Sequence, residues 1–189
     1  MAYNKTQISG SLLFIGSIQF ILSLILSEVL YPDYNASSQT ISSLGVGPSA
    51  VIFNSSILLL GTMGLIGVYV YYQVYKLNLF SILLGLAYVG AIGVGIFTEA
   101  PSTFSFHVIF SFMAYVFGGL AAVASCKLQK QPMSTFSVIL GAFSLLAIII
   151  LASGNNLGLG LGGIERMVAY PLLLWLVGFG SQLITKSER

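Results

Sequence analysis

Charge is what this chain has least of. Only 6% of its 189 residues are Asp, Glu, Lys or Arg, against about 25% in a soluble domain. A water-soluble fold of this length could not cover its surface with so few charges, so lipid is the expected solvent for most of it. Cysteine is scarce as well. The lone Cys126 excludes an internal disulfide. It falls at an expected cytoplasmic helix end, where a plain interfacial thiol is a simpler reading than acylation. Histidine is equally rare, with His107 alone. Zinc usually takes three or four protein ligands, mostly His or Cys, and these two residues fall on opposite sides of the expected topology. No metal site is therefore expected, although His107 with two carboxylates is one arrangement that could form one. No nucleotide loop, nucleophile elbow or haem ligand pair is present, and no cofactor is expected. The net charge of +2 gives no support to a nucleic-acid partner.

What the chain has in abundance is apolar sequence, 57% of the total. It comes in blocks rather than amphipathic stripes: Ile8–Leu30, Pro48–Tyr72, Leu77–Ile96, Phe104–Ser125, Ser134–Leu151 and Ile164–Ile184. Each is near the ~20 residues that cross ~30 Å of hydrocarbon as a helix. Helices satisfy their own backbone hydrogen bonds in lipid. The expected fold is all-α, one integral membrane bundle of six transmembrane helices over residues 1–189, with no room for a soluble domain. The first block is long for a signal peptide and no cleavage site follows it, so it is expected to remain as a span.

The few charges orient the chain. With the N-terminus inside, Lys5, Lys76, Lys127, Lys130, Lys186 and Arg189 fall on the cytoplasmic side and only Arg166 falls outside. This is a positive-inside pattern. The acids divide the other way: Glu28, Asp33, Glu99 and Glu165 lie outside, with His107, and Glu188 inside. Both termini are expected in the cytoplasm, in a multi-pass protein of the cell membrane.

The six spans read as three hairpins, each even-numbered span carrying a strongly polar residue near its outer start: Asn54, His107 and Arg166. A weak threefold repeat fits this, and chance likeness among apolar segments is the simpler reading. Small residues at four-residue spacing (Ser81 with Gly85, Ala91 with Gly95, Gly118 with Ala122) suit close helix packing. The first outer loop, Tyr31–Gly47, opens with a turn at Pro32-Asp33-Tyr34 and carries a glycosylation sequon at Asn35. A short helix is expected over Ser38–Leu44, stopped by Gly45.

The outer polar residues are the candidates for function. Glu99 precedes the fourth span and His107 lies about one turn inside it. A carboxylate near a histidine can orient it and raise its proton affinity, which suits acid–base chemistry; a histidine that merely anchors a helix end explains the same residues. Arg166 follows the run Gly158-Leu159-Gly160-Leu161-Gly162-Gly163. A guanidinium, a helix N-terminus and the N–H groups of Gly162 and Gly163 would together bind a phosphate or carboxylate. The competing reading pairs Arg166 with Glu28, Asp33 or Glu99. Asn54, Glu28, Ser42, Gln39 and Glu165 complete the polar face. Gln19, Ser23 and Ser27 share one face of the first span, as a wet path or, more simply, as interhelical hydrogen bonds. Pro171 cannot donate to the carbonyl of Met167 and would kink the last span.

Three stretches in order resemble a known family. Asp33-Tyr34-Asn35-Ala36-Ser37-Ser38-Gln39-Thr40-Ile41-Ser42-Ser43-Leu44-Gly45, continuing to Ile52-Phe53-Asn54, is similar to the opening of a six-span family of archaeal and bacterial membrane proteins, domain of unknown function 998. Gly95-Ile96-Phe97-Thr98-Glu99 with His107, and Gly162-Gly163-Ile164-Glu165-Arg166 with Tyr170, Pro171 and Trp175, resemble its second and third stretches. The family often has Pro where Thr98 stands and an acid where Ser43 stands. The resemblance implies the six-span fold and an outward polar face, and no activity.

Three functions fit these residues. The first is a structural or accessory membrane subunit whose outer face binds a protein partner or membrane lipid. The second is an intramembrane enzyme on a lipid or polyprenyl headgroup, with His107 and Glu99 as acid and base, Asp33 nearby and Arg166 holding an anion. The third is a small transporter or channel component. Residues converging on an open pocket would favour a ligand site; closed pairs or a flat face would favour the accessory role.

Overall fold

The sequence blocks become six helices: α1 (Lys5–Val29), α2 (Ala50–Tyr75), α3 (Leu79–Ile96), α4 (Phe104–Ala124), α5 (Met133–Ala152) and α6 (Gly160–Thr185). A computed structural model describes residues 3–186, so Glu188 and Arg189, placed above on the cytoplasmic side, lie outside the described residues. No strand occurs among the described residues, and all six helices are long and apolar enough to cross a membrane. The chain is a multi-pass membrane protein.

Local chemistry sets the helix starts. Asn4 accepts from the backbone of Gln7, whose side chain accepts in return from Asn4, so α1 starts three residues before the expected Ile8. Asn78 and Ser81 form the same reciprocal cap on α3. The largest departure is in α6. The glycine run expected as a loop is partly its first turn, because α6 begins at Gly160 rather than at Ile164. Pro171 lies buried inside α6. The short helix expected over Ser38–Leu44 is confined to a 3-10 turn at Ser42–Gly45. The Ile41 N–H that would continue a helix backwards is taken instead by a side chain of α6.

Successive helices pack on one another, and α6 closes on α1. The crossings are tight. A Cβ on Gly10 of α1 would stand 2.6 Å from the carbonyl oxygen of Gly180 on α6, and one on Gly90 of α3 would stand 2.5 Å from the backbone of Ala114 on α4. Of the small residues singled out by spacing, Gly95 and Ala122 do meet neighbouring helices, but a Cβ on Gly85 would touch nothing nearer than Val68 at 3.9 Å. Spacing alone does not say which face carries the contact.

Polar groups inside the bundle bridge helices. Ser9 donates to the Gly67 carbonyl at 2.8 Å, Gln19 to Ser56 at 2.9 Å, and Ser144 to Val168 at 2.8 Å. Of the stripe Gln19, Ser23 and Ser27, Gln19 alone bridges helices in this way, and the buried Ser27 hydroxyl has no partner. At the lysine-bearing end, Tyr71, Phe80, Trp175 and Phe179 form an aromatic cluster, with Phe80 and Phe179 4.9 Å apart. Trp175 Nε1 donates to the buried Ser125 hydroxyl oxygen at 3.1 Å. Trp175→Phe is expected to lower stability by about 1 kcal/mol beyond its lost area; a thermal midpoint in detergent equal to the parent's would show that this bond contributes nothing.

The middle of the bundle is not filled. An apolar cavity of about 90 Å³ is lined by Phe20, Phe53, Leu84, Tyr88, Tyr115 and Leu172, among others, with Ile41 and Ser42 of the first long loop at one end. None of its lining comes from α5, which packs outside against α4 and α6. That placement leaves a seam at the acidic end, where α4, α5 and α6 meet the loop.

Candidate functional site

The acidic end is built around two neighbours on α6 that point in different directions. Consecutive helical residues are rotated by about 100°, so Arg166 reaches into the loop and Glu165 toward the seam. Both are buried, 7% and 5% exposed.

Both terminal nitrogens of the Arg166 guanidinium are engaged by the chain itself. One guanidinium nitrogen donates to the carbonyls of Ala36 at 2.8 Å, Gly162 at 2.9 Å and Gln39 at 3.2 Å. The other donates to Glu28 Oε1 at 2.6 Å and to the Tyr34 hydroxyl at 2.7 Å. Arg166–Glu28 is the only ion pair among the described residues. The Tyr34 ring also lies under the guanidinium, 5.6 Å from its centroid. Burial raises the Tyr34 phenol above its ordinary pKa, against the opposing hydrogen bond from Arg166. The phenol therefore keeps its proton and donates it to the Thr40 carbonyl at 2.7 Å.

Of the two readings of Arg166, the internal pair with Glu28 is the one present, and the donors of Gly162 and Gly163 also turn inward. The Gly162 and Gly163 N–H groups both donate to the Ser37 carbonyl, at 2.8 and 3.3 Å. The Ser37 hydroxyl in turn donates to Leu159 at 2.6 Å. A Cβ on Gly162 would collide with the carbonyl oxygens of Gln39 and Ala36. The glycines let the loop lie directly on the start of α6. The donors that could hold an external anion are spent on holding the loop.

Glu165 has no cation. Its carboxylate accepts from the Ile41 N–H at 2.6 Å, the Ser42 hydroxyl at 3.0 Å and the Tyr115 hydroxyl at 3.1 Å. It thereby holds the N-terminal end of the Ser42–Gly45 turn, where exposed N–H groups favour negative charge. Asn54 holds the other end, donating to the Gly45 carbonyl at 2.9 Å. Gln39 ties the preceding turn, accepting from the Asn35 N–H at 2.7 Å, and Asn35 Oδ1 accepts from Ser37 and Ser38. Asp33 is exposed, has φ of 57° and makes no hydrogen bond among those present. It is a turn residue and lines none of the cavities described here.

Glu99 and His107 do not pair as an acid–base couple; His107 anchors a helix end, the other reading of these residues. Glu99 accepts from the Thr40 hydroxyl at 2.8 Å. His107 Nδ1 lies 2.8 Å from the Phe97 carbonyl oxygen, which can only accept, so Nδ1 carries the proton. The Ser111 hydroxyl then donates to Nε2 at 3.2 Å. A common logic emerges for the three polar residues of the even-numbered helices. Asn54, His107 and Arg166 each grip main-chain carbonyls at the acidic end.

Glu99, His107 and Glu165 nevertheless share a wall. They line a groove of about 260 Å³ at the seam, with Thr40, Ser42, Ser111 and Tyr115. Its remaining lining is apolar: Phe104, Val108 and Phe112 from α4, Ile148, Leu151 and Ala152 from α5, and Leu161 from α6. Phe104, Val108, Phe112 and Leu161 are about half exposed, at 49%, 48%, 54% and 51%, so the groove opens sideways between helices where lipid would lie. Ser42, Ser111 and Tyr115 also line the central cavity, so these three residues stand between the two spaces. Ser111 and Tyr115 escaped the sequence reading. The signal was His107, Ser111 and Tyr115 at four-residue spacing on one helix face.

The Ser111–His107 bond places a hydroxyl beside an imidazole base, as nucleophilic catalysis requires. The surroundings oppose acyl transfer. Its transition state needs donors aimed at a developing oxyanion, yet the hydroxyls of Thr40, Ser42 and Tyr115 all donate to carboxylates. Two acids also stand on the wall where that negative charge would form.

The family described as protein of unknown function (DUF998) matches the chain over residues 14–182. The chain is a polytopic membrane protein, and it belongs to that family. No curated protein and no solved structure matches it.

Proposed function

We propose that the chain binds an amphiphile of the outer leaflet of the cell membrane, seating its headgroup at Glu99 and Glu165 and its chains against α4 and α5. One observation carries this: a lateral groove with two carboxylates and no cation at its polar end and half-exposed aromatic residues along its rim. The headgroup that suits it brings hydrogen-bond donors, as an amine or a polyol does. An anionic headgroup would meet uncompensated like charge. The outer leaflet follows from the charge asymmetry, since the acidic end lies opposite the lysines. Of the expected roles, the accessory subunit that holds lipid fits best. The enzymatic reading loses its acid–base pair and its anion-binding arginine to internal contacts.

Native mass spectrometry of the gently purified protein tests this. The expected result is one retained amphiphile with an amine or polyol headgroup. Ala152 is exposed on the groove wall, so Ala152→Trp fills the groove without disturbing the core and should cut retention by about tenfold, a loss of roughly 1.4 kcal/mol. Equal retention by this variant, or a stoichiometric protein partner in place of the amphiphile, would overturn the proposal.

A further inference from the structure

At the opposite end lies a third cavity, of a different chemical character. It measures about 260 Å³ and is lined by Tyr71 and Tyr75 of α2, Lys127 and Leu128 of the turn after α4, and Phe179, Gln182, Leu183 and Lys186 of α6. Two ammonium groups converge on it from separate elements. Neither has a carboxylate partner among the described residues, where the Arg166–Glu28 pair is the only ion pair. Lys186 Nζ is held over the Tyr75 ring, 4.8 Å from its centroid. A third polar group points to an occupant. The Gln182 side-chain oxygen is buried and has no hydrogen-bond partner, which is a costly state for a group that water or a ligand could satisfy. The floor is apolar and aromatic.

We infer that this cavity is a binding site for a phosphate-bearing ligand, with Lys127 and Lys186 supplying the charge and the Gln182 carboxamide a further hydrogen bond. Lysines act on phosphate as point charges, and basic pockets between membrane helices on the cytoplasmic side take anionic lipid headgroups. The two lysines match the charge of a phosphomonoester. The remaining described lysines, Lys5, Lys76 and Lys130, do not line the cavity, so the site is more than a share of the general basic rim.

The test uses the full chain in nanodiscs of phosphatidylcholine, alone, doped with phosphatidic acid, or bathed in inorganic phosphate. Lys127 and Lys186 are exposed, so the Lys127→Gln, Lys186→Gln double variant should fold normally, checked by its melting in phosphatidylcholine alone. The expected result is a raised thermal midpoint and at least tenfold preferential retention of phosphatidic acid by the parent, both lost in that variant. The Lys5→Gln, Lys130→Gln control should keep them. Stabilisation by inorganic phosphate equal to that by phosphatidic acid assigns the site to a free phosphate and still upholds it. Preference that survives in Lys127→Gln, Lys186→Gln, or that falls equally in the control, would overturn the site in favour of general attraction to the basic rim.

Discussion

Arg166→Ala is expected to release the first long loop and to lower stability by about 3 kcal/mol, the low end for one side of a buried ion pair, because the Glu28 side chain is 24% exposed. The size follows from what is stranded. Glu28 keeps a charge with no partner, and the carbonyls of Ala36, Gln39 and Gly162 and the Tyr34 hydroxyl lose their donor together. Glu28→Gln should be much milder, because the amide oxygen can still accept from Arg166 and the other four contacts remain. Thermal melting reports the stability, and limited proteolysis between Asn35 and Gln39 reports the loop. An unchanged midpoint with an intact loop in Arg166→Ala would mean that the loop is held by something other than this side chain.

Gly162→Ala should resemble that phenotype although it removes no polar group. Alanine in a helix interior ordinarily gains about 1 kcal/mol over glycine. Here the added methyl would occupy the place of the Gln39 and Ala36 carbonyl oxygens, the same two that Arg166 grips. Backbone cannot swing aside as a flexible side chain can, so the loop must lift and those bonds go with it. The expected net loss is about 1–3 kcal/mol, typical of overpacking. Combined with Arg166→Ala the losses should be well short of additive, since both release one loop. Gly85→Ala is the control, because its Cβ meets only Val68 at 3.9 Å. It should be neutral or slightly stabilising. A Gly162→Ala protein as stable as Gly85→Ala would show that the loop does not rest on α6.

Much of the fold was legible because lipid imposes a simple rule: long apolar runs with few charges become helices. The errors lie where local polar chemistry decides. α1 and α3 start at Asn caps that hydropathy does not register. The glycine run before Arg166 looked like a loop, since glycine weakens helices; from Gly160 on it is helical, and glycine is needed there because Ser37 and the carbonyls of Ala36 and Gln39 lie where Cβ atoms would be. The candidate site was read as a set of residues but not as a set of pairs. Arg166, Glu165, Glu99 and His107 do gather at one end, as charge placement indicated. Which of them faces the groove depends on helix rotation and on the path of a loop 130 residues away in sequence from its anchor. Neither is written in local pattern. Tyr34 was read only as part of a turn and a family stretch, and Tyr115 not at all, whereas here each hydroxyl completes the shell of a buried ionisable side chain.

An amphiphile seated in the groove where α4, α5 and α6 meet should be within reach of a group placed on the groove wall. A photoreactive benzoylphenylalanine placed at Val108, on the groove wall and 48% exposed, tests it directly in native membranes, against the same group at Val51, which is 82% exposed on α2 and lines none of the cavities described here. The account predicts a defined lipid adduct at Val108, absent at Val51 and suppressed by Ala152→Trp. Identical adducts at the two positions, or a protein cross-link at Val108, would contradict it.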